Sequence, residues 1–165
     1  MPTPTYFPIA TQTLGSAAST ITFSSIPQTY IDLRLVLTNM TVSTPAQIDI
    51  IFNGLTSGYG WQQMGGTGTT ASAQTVASNG NMPLTWLASP STTIPSTVTI
   101  DMFSYANSTT FKSCFVTNAQ MTTTTGVVEM FSGSKNATTA ITSLTLQAGG
   151  GGNFNTGVIA TLFGI

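Results

Sequence analysis

The segment Asp32-Leu33-Arg34-Leu35-Val36-Leu37-Thr38-Asn39 alternates without a break. Leu33, Leu35 and Leu37 share one parity; Arg34, Val36 and Thr38 share the other. Successive side chains of a β-strand point to opposite faces, so this period of two reads as a strand buried on its leucine side. Residues 96–105 repeat the pattern, with Val98, Ile100 and Met102 on one face and Thr97, Thr99, Asp101 and Phe103 on the other. Residues 20–23, 111–121, 127–132, 141–146 and 158–163 are further strand candidates. Residues 47–52 are largely β-branched and run into Asn53-Gly54, a strong hairpin signal, which makes residues 58–64 the expected return strand. Residues 84–87 are expected as a short strand closed by Pro90 and Pro95.

Between these segments the punctuation is regular. Turns are expected at residues 24–25, 107–110, 122–126 and 133–136, and a four-glycine loop at 149–152. Residues 65–81 hold Gly65, Gly66, Gly68 and Gly80 among Thr, Ala and Ser, and read as a long surface loop with a short strand near residues 74–77. No segment carries a 3.6-residue period, and glycine and β-branched residues are too frequent for helix. About eight to ten short strands at even spacing predict an all-β protein, an antiparallel β-sandwich, jelly roll or barrel, with a jelly-roll-like β-sandwich as the expected form. Residues 9–165 form its single domain.

The first eight residues differ. Pro2, Pro4 and Pro8 exclude a helix and leave an extended N-terminal arm over residues 1–8. Pro2, Pro4, Tyr6 and Phe7 are its candidate assembly contacts. Such an arm docks either on a neighbouring subunit or on its own domain, and the sequence leaves both open.

Composition narrows the function. The 165 residues include three basic and four acidic side chains and no histidine. Charged residues make up 4% of the chain, against about 25% in an ordinary soluble domain. The apolar fraction of 41% and the mean hydropathy of +0.26 are those of a folded domain rather than a disordered one. Nearly a third of the chain is Ser or Thr. Proton transfer near neutral pH needs groups this chain scarcely has, so an enzyme is not expected. Three scattered cations cannot hold a phosphate backbone or an anionic bilayer, so neither nucleic acid nor membrane is an expected partner. No apolar run reaches the length of a membrane helix, and no cleaved secretory signal is expected at the N-terminus. A surface with so little charge repels itself weakly, which favours an oligomer or a lattice.

The possible sites are few. Asp32, Asp49, Asp101 and Glu129 lie in separate strand candidates and read as solvated residues or as partners of Arg34 and Lys112, not as a glycosidase pair. With no histidine and one cysteine there is no metal site and no cofactor to expect. Cys114, between apolar neighbours, reads as a small core residue. The glycine runs lack the lysine and the helix of a phosphate loop. The Asn-x-Ser/Thr triplets at Asn39, Asn107 and Asn136 occur at the frequency this composition gives by chance. Tyr59, Trp61 and Trp86 are candidate glycan contacts if exposed, with Asn53, Gln62 and Gln63 beside them, though aromatics in strands more often build the core.

One long stretch carries a resemblance. It runs Tyr6-Phe7-Pro8-Ile9-Ala10-Thr11-Gln12-Thr13-Leu14, then Ser19-Thr20-Ile21-Thr22-Phe23-Ser24-Ser25-Ile26-Pro27-Gln28-Thr29-Tyr30-Ile31-Asp32-Leu33-Arg34-Leu35-Val36. Ile51-Phe52-Asn53-Gly54, Phe111-Lys112-Ser113 and Thr161-Leu162-Phe163-Gly164-Ile165 follow in order. Together these resemble small β-sandwich virion structural proteins of tailed bacteriophages. The resemblance implies a particle component with no catalytic residues, either a capsid decoration (cement) protein or a tail or fibre module that binds host-surface glycan. For the decoration type it implies a trimer seated on the major capsid protein or on other virion proteins. Apolar and Thr-rich surface would be buried at sites opened by shell expansion. The expected location is the virion, made in the host cytoplasm and released by lysis.

Overall fold

The segment 32–39 becomes the centre of a large sheet. The computed structural model describes residues 5–165, so Pro2 and Pro4 of the expected arm lie outside the described residues. Twelve strands follow one another: β1 (Phe7–Thr13), β2 (Thr20–Phe23), β3 (Leu33–Met40), β4 (Ile48–Phe52), β5 (Tyr59–Thr67) and β6 (Thr70–Asn79) make the first half. The second half is β7 (Met82–Pro83), β8 (Ser96–Phe103), β9 (Lys112–Met121), β10 (Gly126–Lys135), β11 (Leu144–Ala148) and β12 (Ile159–Gly164). There is no helix among the described residues. The large sheet runs β1-β12-β3-β8-β9-β10-β5-β6 and the small one β2-β11-β4-β7; every pairing is antiparallel.

The two sheets pack as a β-sandwich, as the alternation predicts. Leu33, Leu35, Leu37, Val98, Ile100, Met102 and Leu162 from the large sheet meet Ile21, Ile48, Ile50, Phe52, Leu144 and Leu146 from the small one in a single apolar core. Full burial of one such side chain contributes about 1.5–3 kcal/mol, so this layer supplies most of the driving force. The jelly-roll expectation goes further than the strand order does: sheets of eight and four strands exceed the eight strands of a jelly roll.

Several local expectations are corrected. Asn53 and Gly54 both have positive φ, 52° and 67°, as a tight turn requires. The chain nevertheless does not return beside β4: β4 pairs with β11 and β7, and β5 joins the other sheet. Asn53 instead binds a neighbouring loop, donating to the Ala140 carbonyl at 2.8 Å and accepting from the Thr142 and Ser143 amides at 2.8 and 3.0 Å. The expected loop 65–81 is mostly the β5–β6 hairpin. β6 is exposed on both faces, so no apolar alternation betrays it.

Gly65 and Gly133 are strand residues rather than turn signals. A Cβ on Gly65 would strike the Val128 carbonyl and the Leu87 side chain, and one on Gly133 would strike Met82. The expected turn at 133–136 is therefore largely the end of β10. The expected strand at 84–87 is irregular, the short β7 lying just before it.

Phe7 and Pro8 belong to β1, which pairs with β12 at the edge of the large sheet. Tyr6 packs edge-on against Phe163, and its hydroxyl accepts a 2.8 Å hydrogen bond from Arg34. Phe7 packs against Tyr30. Both aromatics thus lie on their own domain.

Candidate interaction surface

At the β9–β10–β5 end the large sheet reverses the usual distribution of polarity. β9 and β10 alternate strictly between buried and exposed positions. Their inward positions include Asn118, Gln120 and Glu129, and β5 adds Gln63; all four are buried. The outward positions carry Phe115, Met121, Val128 and Met130, and β5 adds Met64. Met64, Met121 and Val128 remain 55, 53 and 59% exposed. Large apolar side chains turned to solvent over polar ones turned inward cannot be explained by the domain's own core.

Strand register builds these residues into a row. Thr11 lies opposite Thr161, Thr161 opposite Val36, and Val36 opposite Thr99. Thr99 lies opposite Thr117, Thr117 opposite Met130, Met130 opposite Met64 and Met64 opposite Ala73. The row crosses all eight strands on the outward face without a charge. Shallow open hollows around Met64, Phe115, Ala119, Val128 and Met130 follow it. The neighbouring row holds Arg34 and Asp101, but they neutralise each other. Arg34 Nε and Nη2 donate to the two Asp101 carboxylate oxygens at 2.6 and 2.7 Å. The hydrogen bonds to Asp101 raise the Arg34 pKa above its ordinary value, and partial burial works against that rise.

The inward polar residues hold down the irregular segment after β7. Glu129 accepts from the Trp86 and Leu87 amides at 3.0 and 2.8 Å and from Asn118 Nδ2 at 3.0 Å. Gln120 donates to the Ala88 carbonyl at 2.7 Å. Burial raises the Glu129 carboxyl above its ordinary range, and these hydrogen bonds offset part of that rise. Gly65, inward and opposite Glu129, leaves room for Leu87.

The remaining expected site residues disperse. Tyr59 and Trp61 are 0 and 3% exposed, which corrects their expected role as glycan contacts: a buried ring cannot stack on a sugar. The Tyr59 hydroxyl accepts from the Phe52 amide at 2.8 Å and links the two sheets. Trp61 packs between Trp86 and Phe131, with ring centroids 5.0 and 6.0 Å away. Trp86 alone of the three reaches the surface, and its indole N–H donates to Gln74 at 2.7 Å.

Asp49 and Glu129 are buried rather than solvated, and Lys112 is buried among the Asn107 and Thr110 carbonyls rather than paired with an acid. Burial lowers the Lys112 pKa. Cys114 is a core residue, its thiol pushed up to about 12 by burial. Among the described residues no three acidic or cysteine side chains gather as a metal site would require.

Asp49 gives a pH prediction. Burial raises its carboxyl from 3.8 to about 6, although Gln47 donates to it at 2.5 Å. Between those values the folded chain holds a proton that the unfolded chain has lost. The Asp49 contribution to stability is therefore fully present below the lower value and is lost as pH rises through about 6. The loss is at most about 3 kcal/mol. Thermal melts across pH 4.5–7.5 should show the fall, and Asp49→Asn should flatten it; an unchanged slope in that variant would exclude Asp49 as the cause.

Neither the family models, nor the curated proteins, nor the solved structures compared with this chain give a match.

The outward row was hidden in the sequence by its own regularity. Residues 112–121 and 126–135 carry apolar side chains at both parities: Cys114 and Val116 beside Phe115, Phe131 beside Val128 and Met130. A strand apolar on both faces is one expected to be covered on both faces, and that signal was available.

Proposed function

We propose that this chain is a non-enzymatic structural component of a tailed-phage particle, a decoration protein that seats the outward face of its large sheet on the capsid shell. The observation that supports this reading most is the charge-free row from Thr11 to Met64. At one end of the row the exposed apolar side chains Met64, Met121, Val128 and Met130 gather, and such a cluster marks a docking face. The uncharged composition and the resemblance in residues 6–36 point the same way. Seating would remove the methionine, valine and threonine side chains from water, at about 25 cal/mol per Å² of apolar area. The tail or fibre reading has less to rest on, since Trp86 is the only exposed member of its aromatic set.

Binding through this row should depend little on salt, because its own residues carry no charge and the neighbouring Arg34 and Asp101 neutralise each other. Purified chain added to expanded shells that lack it should co-sediment equally well from low to high ionic strength. A steep loss of binding with added salt would show that the charge-free face is not the seat.

A further inference from the structure

The two sheets leave four strand edges among the described residues: β1 and β6 in the large sheet, β2 and β7 in the small one. An open edge presents unpaired N–H and C=O groups, and proteins ordinarily blunt it with proline, bulges, charge or shortness. Three of these edges are blunted. β1 carries Pro8 and a register shift between Pro8 and Ala10. β2 has four residues, and β7 has two, one of them Pro83. β6 is the exception. Its ten residues, Thr-Ala-Ser-Ala-Gln-Thr-Val-Ala-Ser-Asn, include no proline and no charge. They pair with β5 on one side only, and the one irregularity in that pairing lies at the far end, between Tyr59 and Trp61.

We propose that the free edge of β6 pairs antiparallel with β6 of a second copy of this chain, joining the two large sheets across a twofold axis. The choice of partner follows from closure. A twofold contact uses the same patch on both copies, so β6–β6 pairing consumes both open edges and leaves only blunted ones. Pairing β6 with any other edge would set it against Pro8 and a bulge, or against a strand too short to cover it. Unless a ring closed, it would also leave a second β6 open to recruit further copies. Such a pair centred at Thr75 sets Ala73 opposite Ala77 and Ala71 opposite Asn79, small or neutral side chains that meet without electrostatic conflict. The outward row ends at Ala73, so pairing also carries the charge-free face across both copies. The proposal rests on the strand edges alone and stands apart from the shell-binding reading. It differs from the trimer that the resemblance implies, because a threefold contact would have to join two unlike edges.

The test is the mass of the full chain in solution by light scattering, together with cross-linking. A twofold mass is expected. Residues near the middle of an antiparallel pair meet their own counterparts, whereas residues at its ends lie roughly 30 Å apart. A short bismaleimide should therefore link Thr75→Cys chains in high yield and Thr70→Cys chains hardly at all, native Cys114 being buried. Introducing lysine at both positions of the pair Ala73→Lys and Thr75→Lys should give a monomer with an unchanged near-ultraviolet spectrum. A monomeric or trimeric wild-type chain, or cross-links at residue 70 in place of residue 75, would overturn the proposal. So would a dimer that survives both lysines.

Discussion

The double substitution Val128→Asp and Met130→Asp should reduce shell binding about a hundredfold or more while leaving the fold intact. Both side chains point outward, 59 and 38% exposed, so the isolated domain has little to lose. On a shell the same positions would be desolvated, and an unpaired carboxylate there costs several kcal/mol. Aspartate at Thr20, exposed on β2 of the small sheet, is the matched control and should bind normally. Retained binding by the double variant, or equal loss in the control, would place the seat elsewhere. The measurement is co-sedimentation with shells, beside a thermal melt of each variant.

Glu129→Ala should cost about 3 kcal/mol of stability, because it orphans the part-buried Trp86 and Leu87 amides and the buried Asn118 amide at once. The loss should reach further than the substituted residue. With the segment after β7 released, Trp61 loses the cover of Trp86, and the polar inward side of β9 and β10 opens to water. Glu129→Gln keeps one carbonyl acceptor and should lose clearly less. Chemical denaturation of the three proteins measures this order. Equal stability of the alanine variant and the wild type would mean that the carboxylate is not what fixes the segment.

The sandwich was legible because its central strands obey a simple rule. In β3 and β8 one face is core and the other meets solvent, so parity alone assigns Leu33, Leu35, Val98 and Ile100 to the interior. The Arg34–Asp101 pair was likewise among the expected pairings of the few charges, and strand register sets the two residues opposite each other. Elsewhere the rule loses its hold. β6 meets solvent on both faces, so its small polar residues look like a loop. Gly65 and Gly133 are glycines because neighbouring groups approach too closely for a side chain, a reason that a one-dimensional reading cannot distinguish from a turn. Asn53-Gly54 has the local chemistry of a hairpin, but which strand follows beside β4 depends on contacts with β11 and β7, far along the chain.

Burial of acids followed the same limit. Asp49 and Glu129 lie in strands where polarity predicts exposure. They are enclosed by segments distant in sequence: Asn81 donates to Asp49 at 2.9 Å, and the Trp86 and Leu87 amides cover Glu129. The candidate surface was hidden for a related reason. A single strand cannot reveal which of two apolar faces has a partner within the domain. The glycan candidates failed in the opposite direction: Tyr59 and Trp61 are aromatic because they fill the interior.

Quantitative mass spectrometry of purified particles, with this chain counted against the major capsid protein, would weigh the proposed role as a whole. A shell-seated decoration protein should be present at a copy number within a small factor of the capsid protein itself. Absence from the particle, or the few copies typical of a tail or vertex component, would contradict it.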